Sequence, residues 1–451
     1  MIAGITQKRL IAFTRTETRR YLASRPNTQA ALKAGADAYL AGVPMHWMRD
    51  WPMPFPLLVA SAKGARITDV DGYGLDDFCL GDTGSLFGHS PGPVAKAITR
   101  QAKRGLTYML PSADALEAGR LLTKRFGEYR WQIASTASDA NRCAIRVARA
   151  VTGRPKILVF NGCYHGTVDD VMVTLKDGRT VPRSGLVGQV ANPAEHAVVV
   201  EFNDLPTLQA ALAKGDVAAI LAEPVMTNCA MVLPDPGFWD GVRAACDATA
   251  SLLIMDETHT ISSGLGGWAR NNGLRADILV IGKSVAGGIA CAVWGLSHDL
   301  AKRFLAHDAK RPPGHSGMGT TLSGNPMQFA ALRANLSKVM TKANYVRMER
   351  NAARLEAGLA AAITGVSAPW HVARVGARVE FICAPGPLHN GVAAMAAHEP
   401  QVERAVHLGL VNRGCLIAPF HNMMLVSPST KRRQVDRLIG AFVEVLAELF
   451  D

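Results

Sequence analysis

Residues 252–283 read LLIMDETHTISSGLGGWARNNGLRADILVIGK. Two short runs in this stretch, 252–255 and 278–281, are apolar without alternation, and each closes on a polar group: Asp256 after the first, Gly282-Lys283 after the second. Runs of this kind form strands buried on both faces, which occur in parallel sheets covered by helices. Moving outward, the same texture recurs at 156–160 (KILVF), 197–202 (AVVVEF) and 217–221 (VAAIL). Between Thr136 and Gly153, Ala140, Cys143, Ala144, Val147, Ala148 and Val151 recur at helical spacing, with Arg142, Arg146 and Arg149 on other faces. That is an amphipathic helix laid on the sheet. From about residue 112 to 295 the pattern therefore predicts an α/β fold with a mostly parallel sheet.

Outside that block the texture changes. Toward the N-terminus a helix is expected over 27–40, followed by the Pro- and Trp-rich stretch GVPMHWMRDWPMPFP (42–56), an irregular surface arm. ARITDVDGYGLDDF (65–78) places an Asp-Gly turn between two strand-like runs, a hairpin signal. After Pro326 the sequence is helix-rich, with strands near 375–382 and 423–426 and a last helix bearing Val435, Leu438, Ile439, Phe442, Leu446 and Leu449 on one face. The expected organisation is an N-terminal arm and hairpin (1–75), a large domain (76–326) and a smaller α+β domain (327–451) onto which the arm folds back.

Composition narrows the class. With 451 residues, 48% hydrophobic and 19% charged, the chain is long enough for a large core and unlike a disordered one. No window approaches eighteen uninterrupted apolar residues and the start lacks a secretory signal pattern, so a cytoplasmic protein without membrane association is expected. The eight cysteines stand apart, with no CxxC pair and no histidines at metal-ligand spacing, which predicts neither disulfides nor a metal site. The net charge of +12 is dispersed, and its densest cluster, Lys431-Arg432-Arg433, lacks interleaved aromatics. Nucleic acid is therefore not the expected partner.

In an open parallel sheet, ligands bind beyond the carboxyl ends of the strands. Four strand ends carry polar groups there: Glu223, Asp256, Lys283 and Tyr164-His165. A lysine just past a buried strand can form a Schiff base, and an acid on a neighbouring strand end can keep a pyridine nitrogen protonated. The small polar loop STASDAN (135–141), opening a helix, can receive a phosphate on its backbone N–H groups and hydroxyls. These are the fixtures of a pyridoxal 5'-phosphate site. The GKS at 282–284 is not a P-loop, because the required upstream glycine is Asp277, and no GxGxxG follows a strand.

Seven segments, in order, carry a resemblance: AKGARITDVDG (62–72), FGHSPGPV (87–94), SDANRCAIRVARAVTGRPKILVFNGCYHG (138–166), EPVMTN (223–228) with PDPGFW (234–239), LLIMDETHT (252–260), IGKSVAGGIA (281–290) and GTTLSGNP (319–326). The chain resembles the class III aminotransferases of the fold type I pyridoxal-phosphate enzymes, in the branch containing glutamate-1-semialdehyde aminomutase. The resemblance implies a large domain with a mostly parallel seven-stranded sheet. It implies that Lys283 carries the cofactor, Asp256 faces the pyridine nitrogen, Tyr164 stacks on the ring and Asn228 lies near the phenolic oxygen, with Glu223 in the same cofactor-binding segment. Thr136, Ala137 and Ser138 stand at the phosphate loop. Thr321, with Thr320 beside it, stands where the family reaches the phosphate of a neighbouring subunit, which implies a homodimer with shared sites.

Departures from the family pattern bear on the substrate. Ala137 and Asp139 replace a more usual Gly and Glu, and His259 replaces an apolar residue, either tuning the pocket or filling it. The segment APFHNMMLVSP (418–428) lacks the acidic residue associated with the aminomutase. Arg49 matches an arginine for a substrate carboxylate, with Trp47 as an aromatic wall, while Arg413 is a second carboxylate candidate. The expected activity is transfer of an amino group from an amino acid, including a β-amino acid, or an amine to a keto-acid acceptor. An aminomutase, racemase or ammonia-lyase shares these fixtures, and a basic binding protein without catalysis is the non-enzyme alternative.

Overall fold

A computed structural model describes residues 1–450. Its principal sheet contains β1 (Tyr129–Ala134), β2 (Lys156–Phe160), β3 (Ala197–Val200), β4 (Val217–Ala222), β5 (Leu252–Asp256), β6 (Ile278–Ile281) and β7 (Ala292–Ser297). Across the sheet the order is β1-β7-β6-β5-β4-β2-β3. From β3 to β6 every pairing is parallel, whereas β7 runs antiparallel to both β6 and β1. All residues of β4, β5 and β6 are buried. Both faces of these strands meet covering elements, which is the physical reason their sequences show no polar alternation.

The helix α1 (Ala137–Thr152) covers one face. Its Ala140, Ala144, Val147 and Ala148 are buried in one cluster with Ile157, Val159, Leu221, Ile254 and Val280 from the sheet. It starts at Thr136, whose hydroxyl accepts from the Asp139 N–H, and it ends at Gly153 with φ +69°. Both ends follow ordinary capping chemistry, a short hydroxyl before the first turn and glycine in the left-handed region after the last. The α/β fold with a mostly parallel seven-stranded sheet is the one expected.

The chain divides into two compact units. One, Gly92–Lys342 with Leu388–Ala396, holds the principal sheet; the other comprises Met1–Pro91, Ala343–Pro387 and the chain from Ala397 onward. The divisions fall later than 75 and 326. The helix Pro326–Ala334 packs on the helices Gly92–Ala102 and Ala113–Phe126 and so stays with the principal sheet. Strand Gly74–Asp77 pairs in parallel with Cys415–Leu416, which ties the residues around 76 to the C-terminal part of the chain.

In that second unit the Asp71-Gly72 hairpin forms as expected, with Ile67 opposite Leu75 in an antiparallel pair. The helix expected over 27–40 stops at Ala34 and gives way to 3₁₀ turns after Gly35. A helix the sequence did not announce, Gln7–Ser24, packs against Pro400–Asn412. Its buried stripe of Leu10, Phe13 and Tyr21 also contains Glu17, and that buried acid breaks the apolar periodicity. Strands His371–Val375, Arg378–Ile382 and Met423–Leu425 form an antiparallel sheet. The helix Arg432–Phe450 buries Val435, Leu438, Phe442, Leu446 and Leu449 in the same cluster as Phe381.

No described helix is long and apolar enough to cross a membrane. All eight cysteines are buried and none is joined in a disulfide, and among the described residues no group of His, Cys, Asp and Glu could hold a metal ion.

Candidate active site

Asp256 is the last residue of β5, and its side chain is nearly inaccessible. Its Oδ2 accepts from Asn141 Nδ2 at 2.8 Å and lies 3.0 Å from His165 Nδ1, while Oδ1 accepts from the Thr258 N–H at 3.1 Å. Burial alone would push the Asp256 carboxyl up, but the hydrogen bond and charge of His165, with Thr258 and Asn141, hold it below the usual carboxylate range. Burial pushes the His165 imidazole down, and the Cys163 sulfur and Asp256 carboxylate outweigh it, so His165 stays protonated well above its ordinary range. The result is a buried, charged pair. The neighbouring Glu257 is differently engaged: it accepts from Thr260 Oγ1 and from the N–H groups of Trp268 and Ala269 at 2.6 to 2.8 Å, which fixes the next turn.

β6 is the parallel neighbour of β5, so Lys283 leaves the sheet at the same edge as Asp256. Lys283 opens a 3₁₀ turn with φ +46°, a left-handed value that costs a non-glycine residue about 1 kcal/mol or more. The turn is held from behind by Asn335, whose Nδ2 donates to the carbonyls of Ser284 at 3.0 Å and Val285 at 2.8 Å. Lys283 Nζ lies 2.5 Å from His259 Nε2. His259 Nδ1 is 2.6 Å from Thr227 Oγ1, which donates to Glu223 Oε2 at 2.5 Å. Glu223 Oε1 accepts from Asn228 Nδ2 at 2.7 Å. Burial raises the Glu223 pKa despite the opposing charge of His165 and the bonds from Thr227 and Asn228.

The start of α1 closes on both strand-end turns. A Cβ on Gly282 would stand 2.7 Å from the Ala137 Cβ, so the residue before Lys283 must be glycine for the two backbones to approach. Gly166, at φ +82°, would likewise put a Cβ 2.9 Å from Ser138 Cα. Ser138 Oγ accepts from the Thr167 N–H at 3.0 Å and keeps its own proton to donate. Thr136 Oγ1 donates to Asp139 Oδ2 at 2.9 Å, and Asp139 is paired with Arg142 at 2.9 Å, so its charge is compensated at the helix start. Tyr164, after β2, is 44% exposed. Thr320 and Thr321 are exposed; Thr320 Oγ1 lies 2.9 Å from Ser323 Oγ, itself 3.3 Å from Ser135 Oγ beside the phosphate loop.

These groups fit pyridoxal 5'-phosphate. The N–H groups of Ala137 and Ser138 belong to the first helical turn and have no partner within the helix, which with the Ser138 hydroxyl makes an anion receptor. A buried, ionised Asp256 suits a protonated ring nitrogen, and the Lys283 amine suits an aldehyde.

Lys283, Asp256, Glu223, Asn228, His259, Tyr164 and residues 136–138 thus fall in one unit, at the end of the principal sheet and the start of α1. Arg49 and Trp47 belong to the other unit, in the turn His46–Arg49, where both are exposed. Arg413 is not available to a substrate: its guanidinium is held by Glu17 at 3.2 Å, Glu444 at 3.1 Å and Glu448 at 2.5 Å. Sequence reasoning missed Asn141, Thr227 and Asn335. Asn141 had a signal, a buried amide in register with Ala144, Ile145 and Ala148 on the core face of α1.

The family described as aminotransferase class-III matches residues 48–446. A glutamate-1-semialdehyde 2,1-aminomutase of Anaeromyxobacter dehalogenans (strain 2CP-C) is 34% identical over 373 residues, covering 81% of this chain and 84% of that protein. Among solved structures, a glutamate-1-semialdehyde-aminomutase from Pseudomonas aeruginosa PAO1 matches with a TM-score of 0.96 and 44% identity, over 99% of this chain and 100% of that one. Its lysine-to-alanine variant was solved in complex with PMP. An omega-transaminase from Sphaerobacter thermophilus, 24% identical with a TM-score of 0.86 over 95% of this chain and 99% of that one, shares the fold.

Proposed function

The chain belongs to the class III aminotransferases, enzymes of pyridoxal 5'-phosphate, and on that premise we propose that it is an aminomutase of the glutamate-1-semialdehyde type, moving an amino group within one carboxylate-bearing amino aldehyde. The observation that carries the chemistry is the pairing of strand ends: Asp256, kept ionised by His165 and Asn141, closes β5, and Lys283 follows its parallel neighbour β6. The choice of an internal transfer over exchange between two substrates rests on the names of the relatives, 34% and 44% identical.

When bound, pyridoxal 5'-phosphate supplies an aldehyde for covalent capture and a ring that accepts the electron pair left by a departing proton. Lys283 would hold that aldehyde, and its Nζ, when free, would take a proton from the substrate carbon bearing nitrogen and return it to another carbon. Asp256 would accept a hydrogen bond from the ring N–H and keep that proton in place. The start of α1, with Ser138, would fix the phosphate and thereby the distance between the ring and Lys283. Tyr164 would cover one face of the ring, and Arg49 would orient the substrate carboxylate.

One feature favours ordinary transamination as the second reading: segment 418–428, APFHNMMLVSP, contains no carboxylate. The two readings separate in one experiment. Holoenzyme supplied with glutamate-1-semialdehyde and no keto acid should turn over many times as an aminomutase. An aminotransferase stops after about one equivalent and resumes when pyruvate or 2-oxoglutarate is added.

A further inference from the structure

His259 sits where the segments following β4, β5 and β6 meet, and only 5% of it is accessible. Its two ring nitrogens face different elements: Nε2 is 2.5 Å from Lys283 Nζ, and Nδ1 is 2.6 Å from Thr227 Oγ1. Thr227 Oγ1 in turn lies 2.5 Å from Glu223 Oε2, and that oxygen is 3.7 Å from His259 Nδ1. A carboxylate only accepts hydrogen bonds, so the Thr227 hydroxyl donates to Glu223 and its oxygen is left to accept from His259 Nδ1–H. The tautomer is then determined, and the Nε2 lone pair points at the lysine.

We propose that His259 is the proton acceptor for Lys283. One proton passes from the Lys283 ammonium to His259 Nε2, leaving a neutral amine and an imidazolium, and the reverse step returns it. The new positive charge is met through Thr227 by the Glu223 carboxylate. No other bond is made or broken and no electrons change owner. The assignment rests on Lys283 being the reacting amine of the proposed function, and it adds how that amine loses its proton. Lys283 from the turn after β6 and Glu223 from the end of β4 are ionisable groups that face His259; Asp256 and His165 act on Glu223 in turn.

The test uses the holoenzyme and two variants, His259→Gln and Thr227→Val. With isotope-labelled histidine, the ring resonance lost in His259→Gln, or displaced in Thr227→Val, should report a proton on Nδ1 and none on Nε2; the opposite tautomer overturns the proposal. In single turnovers followed by the cofactor's absorbance, His259→Gln should react about 10- to 100-fold more slowly near neutral pH, with the deficit closing as pH rises and solvent removes the proton instead. Thr227→Val should shift the same way by less. A deficit equal at every pH, or none, overturns the proposal and leaves His259 a packing residue. Borohydride reduction and peptide mapping of the same proteins should keep the label on Lys283. A label on another lysine defeats the reading of Lys283 and the relay with it, whereas a label on Lys283 with an unchanged pH profile defeats the relay alone.

Discussion

Asn141 Nδ2, on the buried face of α1, donates at 2.8 Å to Asp256 Oδ2 at the end of β5, joining residues 115 positions apart. The same amide donates to the His165 carbonyl at 3.0 Å, so one side chain ties the helix, the turn after β2 and the strand end together. The carboxylate is thus oriented by a rigid element rather than by a loop.

That relationship predicts a graded pair of losses. Asn141→Ala removes a hydrogen bond to a charged group, about 1.5–3 kcal/mol, and should lower kcat by about 10-fold or more while weakening cofactor retention. Asp256→Asn, which removes the charge itself, should cost about 10²-fold or more. Steady-state kinetics with spectrophotometric cofactor counting checks both. Wild-type rates in Asn141→Ala would show that the backbone and His165 suffice to hold Asp256.

The His165–Asp256 pair predicts a pH-dependent stability with a definite sign. The His165 pKa is raised to about 10, so its contribution is complete below its unfolded value, about 6.5, and is lost as pH rises through the folded one. The Asp256 pKa is lowered, so its share is present above about 3.9 and is lost on acidification below that. The Tm gap between wild type and His165→Asn should therefore be widest on the mildly acidic side of neutrality and narrow toward pH ~10. Thermal scans at a series of pH values would count against the charged pair if the gap stayed flat or widened with alkali.

Much of this site was legible because β5 and β6 are buried on both faces. Continuous apolar runs end abruptly at Asp256 and Lys283, and a polar residue there is either a cap or chemistry. What stayed hidden depends on pairing distant residues. Glu17 reads as a surface acid within QKRLIAFTRTETRR, yet it is buried because Asn412 and Arg413, nearly four hundred positions on, reach it. His259 reads as a substitution in the pocket, and only its two partners, on segments following different strands, give each of its nitrogens a direction. The helix expected over 27–40 ends at Ala34 because Gly35, at its C-cap, leaves helical geometry with φ −97° and ψ 4°, and 3₁₀ turns follow.

Thr321 is exposed, in the segment GTTLSGNP that implies a contact with a second subunit's phosphate. We expect a homodimer whose sites are completed in this way. Light scattering should give twice the chain mass of 48.1 kDa. Mixing Lys283→Ala with a Thr321 variant that is inactive alone should restore activity after subunit exchange, because one site of each mixed dimer then has both groups intact. Demonstrated exchange without recovery would mean that each chain builds its own site.

Arg49 is expected to select carboxylate-bearing substrates. It is exposed in the turn His46–Arg49, and its neighbour Trp47 is exposed as well, so the turn presents a charge and an aromatic surface that the fold of its own unit does not consume. Arg413, the other arginine that sequence offered for a carboxylate, already serves three carboxylates of the chain. A guanidinium gripping a carboxylate through two charge-assisted bonds is worth about 1.5–3 kcal/mol. Arg49→Ala should therefore lower kcat/KM for acidic substrates by about 10- to 100-fold and leave simple amines nearly unchanged. Equal losses on both would make Arg49 a residue of the arm's structure. No loss on either would mean that the carboxylate is held by other groups, and since Arg413 is spent on Glu17, Glu444 and Glu448, the search would then turn to uncharged donors such as backbone N–H groups.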